Sequence, residues 1–123
     1  NNSIESKTIK SINEILKLSK DSDVIGIDEA QFFSNKIIDL SDKLANQGKR
    51  VIIAGLDKDF LSNPFEPISQ LLAKAEYITK LYAICMQCGK KAFFLKRITK
   101  ENERIIVGEK DKYEARCREC YKS

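Results

Sequence analysis

The sequence contains no histidine and no tryptophan, and only two prolines, one methionine and five glycines in 123 residues. Lack of His removes the side chain that most often moves protons near neutral pH, and removes imidazole as a metal ligand. Proton transfer then falls to carboxylates, Lys, Tyr or Cys, and any stacking to six Phe and four Tyr. No apolar run approaches the roughly 20 residues that a membrane-spanning helix needs, and the polar opening NNSIESK resembles no signal peptide. A cytoplasmic protein with no membrane partner is expected. Charge of one sign is also scarce: 22 Lys and Arg stand against 18 Asp and Glu, net +4, spread along the chain. Gly89-Lys90-Lys91 is the nearest approach to a basic cluster, so nucleic acid is not expected as a partner and the charge reads as solvated surface. A last absence concerns phosphate chemistry. The glycines at 26, 48, 55, 89 and 108 never approach the G-x-x-x-x-G-K-S/T spacing of a phosphate-cradling loop.

What is present has the texture of a small folded protein, 42% apolar and 33% charged. Residues 3–20 set Ile4, Ile9, Ile12, Ile15 and Leu16, with Leu18 beside them, on one stripe and predict a helix. Asp21-Ser22-Asp23 breaks that pattern, and Val24–Asp28 follows as a short buried strand. Residues 35–49 again show a helical face (Ile37, Ile38, Leu40, Leu44, Ala45), with Gly48 where a left-handed C-terminal cap belongs. A second apolar run, RVIIAG, covers residues 50–55. Strand, helix and strand with short links predict a right-handed parallel β-α-β unit covered on both faces. Ligand chemistry is then expected at the C-terminal ends of the strands, where Asp28-Glu29 and Leu56-Asp57 lie. Residues 64–75 predict a further helix with Pro64 or Pro67 near its start. Beyond it the texture changes to short strands, at 77–85, 91–98 and 103–107, split by Gly89-Lys90 and by the polar stretch 99–102. The expected organisation is an α/β core over residues 1–80 and a small β-rich domain over residues 81–123.

All four cysteines fall in that second part, as Cys85-Met-Gln-Cys88 and Cys117-Arg-Glu-Cys120. Two residues between sulfurs let both thiolates of a knuckle turn toward one ion, and two knuckles make the tetrahedral four-sulfur set that structural Zn²⁺ prefers. The stretch 89–116 between the pairs is longer than the usual roughly 15–20 residues, so it must form a loop or an extra hairpin. An iron site, disulfides or a redox pair are the other readings. A closed four-Cys site offers substrate no open position, so its expected role is stability.

VIGIDEAQFF, residues 24–33, carries an apolar strand into adjacent acids. This is the Walker B pattern: one carboxylate holds hydrated Mg²⁺ while the next accepts a proton from the attacking nucleophile. The bland alternative is a pair of acids at a helix N-terminus. DEAQ-type boxes also occur in motor ATPases, where the next strand ends in a small-residue Ser/Ala-Thr sensor; here it ends in AGLDKDF. Phe32, Phe33, Phe60 and Phe65 follow the two strand ends instead. Any one of them reads as core, but together they suggest a slot for a flat base.

Taken together, VIGIDEAQFF, GLDKDF followed by PFEPI, KLYAICMQCGKKAFFLKR and VGEKDKYEARCRECY resemble, in order and spacing, the type II zinc-containing thymidine kinases. The resemblance covers about residues 22–121. It implies ATP- and Mg²⁺-dependent phosphorylation of the 5′-hydroxyl of thymidine, with deoxyuridine as a further acceptor, in nucleotide salvage and DNA precursor synthesis. By the same resemblance Glu29 is the general base, Asp28 serves the Mg²⁺ side with Gln31 nearby, and Phe32, Leu56, Phe60 and Phe65 line the deoxyribose and base pocket. Leu95, Val107, Gly108 and Tyr113 match substrate-contacting positions in a lasso loop anchored by the zinc ribbon of Cys85, Cys88, Cys117 and Cys120, and Arg97 is implied near phosphate. The fold it implies is α/β: a parallel-sheet P-loop-kinase or RecA-like core and a zinc-ribbon domain carrying the lasso. A homotetramer and feedback by thymidine triphosphate are also implied.

The sequence departs from the family in three places: Leu95 and Asp59 stand where some relatives carry Thr, and Glu66 replaces a common Gly. The phosphate loop and the Arg-bearing segment after it are absent, and the chain opens without Met directly into a helical pattern. The expectation is therefore a chain lacking its N-terminal phosphate-loop segment, which by itself does not bind ATP normally or turn over. The competing functional readings are a zinc-ribbon binding module and a fragment of a DEAQ-type ATPase.

Overall fold

A computed structural model of the chain describes residues 4–99 and 112–123. In order, the elements are α1 (Ile12–Leu18), β1 (Val24–Ile27), a 3-10 turn (Ala30–Phe32), α2 (Lys36–Asn46), β2 (Arg50–Ile53), α3 (Glu66–Lys74), β3 (Ala83–Ile84), β4 (Lys91–Ala92), β5 (Phe94–Arg97), β6 (Tyr113–Arg116) and α4 (Arg118–Lys122). They group into two compact units, Asn1–Leu56 with Glu66–Leu71, and Asp57–Phe65 with Leu72–Ser123. The described residues form a small α/β chain with one short parallel strand pair, two short antiparallel pairs and a cysteine cluster.

In the first unit β1 and β2 pair in parallel, from Val24 opposite Arg50 to Ile27 opposite Ile53. Such a pairing needs a crossover, and α2 supplies it: Ile37, Ile38, Leu40 and Leu44 recur at helical spacing and are all buried. With Ile15 of α1, Ile25 and Ile27 of β1, Ala30 and Ile68, they make the core of this unit. α2 ends as its sequence predicts. Gly48 takes φ +86, its N–H donates to the Ala45 carbonyl at 2.9 Å, and the Lys49 N–H donates to the Leu44 carbonyl at 3.2 Å. These two bonds satisfy carbonyls that the helix end leaves open, and only a residue without Cβ adopts that φ cheaply. Lys49 then closes α1: its Nζ donates to the carbonyls of Ser19 at 2.9 Å, Lys20 at 3.3 Å and Ser22 at 2.6 Å.

Two expectations for this unit are corrected. The helix predicted over 3–20 forms only as Ile12–Leu18, and Ile4 is 92% exposed. Residues 4–10 hold Ser6 and Thr8, poor helix formers, and an end without an apolar surface to pack on does not meet the cost of helix formation. The strands are not covered on both faces either: Ile25 and Ile27 are buried while Val24 and Ile52 are exposed. Among the described residues this sheet has two strands, and side chains alternate across it.

In the second unit β3 and β4 form a short antiparallel pair, Ala83 opposite Ala92. β5 and β6 form a longer one, Phe94 opposite Arg116 through Arg97 opposite Tyr113. The strand predicted over 77–85 shrinks to two residues, and that over 91–98 breaks at Phe93 into β4 and β5. β6 and α4 carry no sequence forecast. The strand predicted over 103–107 lies outside the described residues. Residues 57–65 fold on themselves, with Lys58 bridging Pro64, Asp59 Oδ1 accepting the N–H groups of Leu61 and Asn63 at 2.9 Å each, and Ser62 at φ 66. No helix among the described residues is long and apolar enough to cross a membrane.

Candidate functional site

The strand ends of the first unit gather Asp28, Glu29, Gln31 and Leu56. Glu29 adopts φ 54, ψ 41, the left-handed region that costs a non-glycine residue about 1–2 kcal/mol. Strain of this kind persists where surrounding structure fixes it, and it concentrates at functional positions. Here it is fixed on both sides: Asp28 Oδ1 accepts the Glu29 N–H at 2.8 Å, and the Ala30 N–H donates to the Ala54 carbonyl at 3.1 Å. The left-handed kink turns the chain off β1 into the 3-10 turn while both acids stay exposed. Gln31 is buried, and its amide is engaged at both ends, donating to Glu29 Oε2 at 2.6 Å and accepting the Leu56 N–H at 3.0 Å. Phe32, expected as a slot wall, is 78% exposed, and Leu56 is exposed as well.

The second unit brings together several of the aromatics singled out in the sequence. Phe60 and Tyr113 lie with ring centroids 5.8 Å apart, and the Arg97 guanidinium sits 5.7 Å from the Phe60 ring centre. Tyr121 fixes this group by donating its hydroxyl to the Phe60 carbonyl at 2.6 Å. Phe60, Lys96, Arg97, Thr99 and Tyr121 line an open groove of about 370 Å³. Leu95 lies on β5 opposite Ala115 and is half-buried. Phe65 is also half-buried, its N–H donating to the Asp57 carbonyl at 2.9 Å. A second groove, about 410 Å³, is lined by Lys58, Lys80, Lys91, Phe93, Phe94 and Arg118. Val107 and Gly108 lie outside the described residues.

The four sulfurs of Cys85, Cys88, Cys117 and Cys120 lie within 4.8 Å of one another, and all four cysteines are free. The first knuckle turns on Gly89, at φ 76, whose N–H donates to the Cys85 carbonyl at 2.9 Å. The second is a helix start, where Cys117 caps α4 and its sulfur accepts the Cys120 N–H at 3.5 Å. Burial pushes the Cys85 thiol up, but hydrogen bonding with the backbone at Cys117, Cys88 and Gln87 and with the Cys88 sulfur brings it down to about 6. Cys120 is pushed up to about 12, chiefly by its hydrogen bond with the Cys117 sulfur and then by burial. The donor set fits a soft dication: a tetrahedral four-sulfur zinc site has edges of about 3.8 Å, and Cys88 Sγ stands 3.6 Å from Cys117 Sγ. Sulfur held in pairs by backbone turns, with an N–H directed at it, suits Zn²⁺ as a structural ion.

The pattern of the thymidine kinase family matches residues 1–121. A thymidine kinase of Rhodothermus sp. (strain ITI 518) is 48% identical over 120 residues, 98% of this chain and 56% of that protein. One from Bacteroides thetaiotaomicron is 50% identical over 119 residues (97% and 60%), and one from Bacteroides fragilis 49% over 120 (98% and 60%). The chain belongs to the thymidine kinase family. It spans 56–60% of the length of these curated relatives. Family membership does not favour the binding-module and motor-ATPase readings, and the cysteine cluster fits the structural zinc expected of a thymidine kinase.

Some residues that matter at these strand ends and in the second unit escaped the sequence reading. Gly55 is one: a Cβ there would stand 2.9 Å from Gln31 Oε1 and 2.9 Å from Ile68 Cδ1. Its only sequence signal is its place at the end of an apolar strand run. Tyr121 is another, and neither composition nor spacing marks it.

Proposed function

We propose that this chain serves the ATP-dependent phosphorylation of the 5′-hydroxyl of thymidine, with deoxyuridine as a further acceptor, in cytoplasmic pyrimidine salvage. The observation that carries the reading is the Asp28-Glu29 pair at the end of β1, with Glu29 held in a left-handed conformation, in a chain whose family is thymidine kinase. Glu29 takes the proton of the attacking 5′-hydroxyl, a role worth about 10²–10⁴-fold in rate. The oxygen left behind attacks the γ-phosphorus of ATP, and the bond to the β-phosphate oxygen breaks to release ADP. Asp28, an exposed hard oxygen donor beside Glu29, suits a hydrated Mg²⁺, which when bound neutralises charge on the phosphate oxygens.

For the nucleoside, the reading assigns Phe32, Leu56, Phe60, Phe65, Leu95 and Tyr113, with Val107 and Gly108, as contacts. The pairing of Phe60 with Tyr113 and the nearby Arg97 support the share of the second unit. The fold reading that accompanies it is a P-loop-kinase core over residues 1–80 and a zinc ribbon with a lasso over residues 81–123. A homotetramer and inhibition by thymidine triphosphate belong to the same proposal.

The test is a thymidine phosphorylation assay on the full-length protein. Glu29→Gln is expected to abolish turnover while thymidine still binds. Failure of the wild-type protein to phosphorylate any pyrimidine nucleoside overturns the reading, and full turnover by Glu29→Gln removes that residue from its role.

A further inference from the structure

Gln31 is 6% exposed, and both ends of its amide are hydrogen-bonded within the protein. Nε2 donates to Glu29 Oε2 at 2.6 Å, and Oε1 accepts the Leu56 N–H at 3.0 Å. Chemistry fixes which end is which: reversed, the amide would set its oxygen against a carboxylate and its NH₂ against an N–H. The space around it is equally specified, because a Cβ on Gly55 would lie 2.9 Å from Gln31 Oε1 and 3.3 Å from the Ala30 nitrogen.

We propose that Gln31 is a positioning residue: it orients the Glu29 carboxylate and ties it to the backbone just beyond β2 at Leu56, with Gly55 providing the room. The proposal rests on the reading of Glu29 as proton acceptor. A glutamate exposed at a strand end samples many rotamers, whereas a proton acceptor must lie within about 2.6–3.2 Å of the hydroxyl it serves. The amide engages Oε2 and leaves Oε1 for that hydroxyl. Because an amide does not ionise, it holds the carboxylate without competing for the proton. Burial of Gln31 and the Leu56 bond supply the rigidity, and through Leu56 the orientation of the acid is coupled to the end of the neighbouring strand.

The test uses the full-length protein and Gln31→Met, which keeps similar volume and loses both hydrogen bonds. The kcat for thymidine is expected to fall about 10–100-fold, as for a misplacement of about 1 Å, while the dissociation constant for thymidine stays within about threefold. Gly55→Ala, which crowds the amide, is expected to move kcat in the same direction. A readout independent of turnover comes from ¹H–¹⁵N spectra: the Leu56 amide signal should shift in Gln31→Met, and the side-chain amide signals of Gln31 should shift in Glu29→Ala. Unchanged kcat in folded Gln31→Met, or spectra in which neither signal moves, overturns the positioning role while leaving the kinase reading intact. Full turnover by Glu29→Gln overturns both. Should Gln31→Met fail to fold, Gly55→Ala and the Glu29→Ala spectra decide the question.

Discussion

The two units of the chain solve the problem of being small in different ways. The first buries Ile15, Ile25, Ile27, Ile37, Ile38, Leu40, Leu44 and Ile68, an aliphatic core drawn from α1, β1, α2 and α3. In the second, the buried apolar group among the described residues is Cys85, Ala92 and Cys117, with Ala115 and Cys120 packed against it. Two sulfurs and a methyl group remove little surface from water, and burial yields only about 25 cal/mol per Å². Phe94 of the second unit is half-buried and packs through cations and stacking instead: Lys58 lies 4.1 Å and Arg118 4.7 Å from its ring centre, and Tyr121 stacks on it at 4.9 Å. Such contacts are worth about 0.5–2 kcal/mol each. The first unit therefore has an aliphatic core of its own, and the second gathers its buried groups around a cysteine cluster that fits a structural metal.

The largest effect expected from this contrast follows metal removal. Stripping zinc with a chelator, or replacing Cys85 by Ala, should remove up to about 10–16 kcal/mol of binding energy that doubles as folding energy. Hydrogen exchange should then accelerate across β3–β6 and α4 while the amides of α2 and β2 keep their protection, and metal analysis should fall from one zinc per chain to none. Equal loss of protection in both units would break the comparison. The reverse experiment is Leu44→Ala, at a side chain 1% exposed. It should cost the first unit about 2–5 kcal/mol in denaturant unfolding and leave the zinc content unchanged.

A smaller effect sharpens the account of the first unit. Gly48→Ala forces a Cβ into φ +86 with nothing in the surrounding space to meet it, so the penalty is purely conformational, about 1–2 kcal/mol. The measurement is the shift in the unfolding midpoint of the first unit. The smallest effect belongs to Lys90→Ala. Its 3.4 Å pair with Glu119 links the two cysteine knuckles, but both side chains are largely exposed, and solvent screens such pairs so that they add little. Thermal melting and zinc affinity should both stay close to wild type. A large loss in either would make the ion pair, rather than the sulfurs, part of what holds the second unit.

How much was legible in advance depended on how local the cause was. The β1–α2–β2 segment could be read because periodicity, a glycine cap and two apolar runs agree, and none needs a distant partner. The cysteine pairs could be read because two residues between sulfurs fix a geometry by themselves. The helix over 3–20 was over-extended because periodicity records what a helix would bury, not whether anything lies there to bury it against. β6 and α4 were missed because their reason to exist is non-local: β6 pairs with β5 across the sequence, and α4 starts at a cysteine whose N–H-accepting sulfur also serves the cluster.

At the strand ends the same division holds. The sequence alone determined that two acids follow an apolar strand and that four thiols come in two knuckles, since both are properties of neighbours along the chain. Only the tertiary structure decided that Glu29 sits in a left-handed turn, that Gln31 spans from its carboxylate to the Leu56 N–H, and that a side chain at Gly55 would crowd Gln31 and Ile68. Residues 31 and 56 meet because parallel pairing brings the ends of β1 and β2 side by side, and a hydrogen bond between residues 25 positions apart leaves no trace in composition or period.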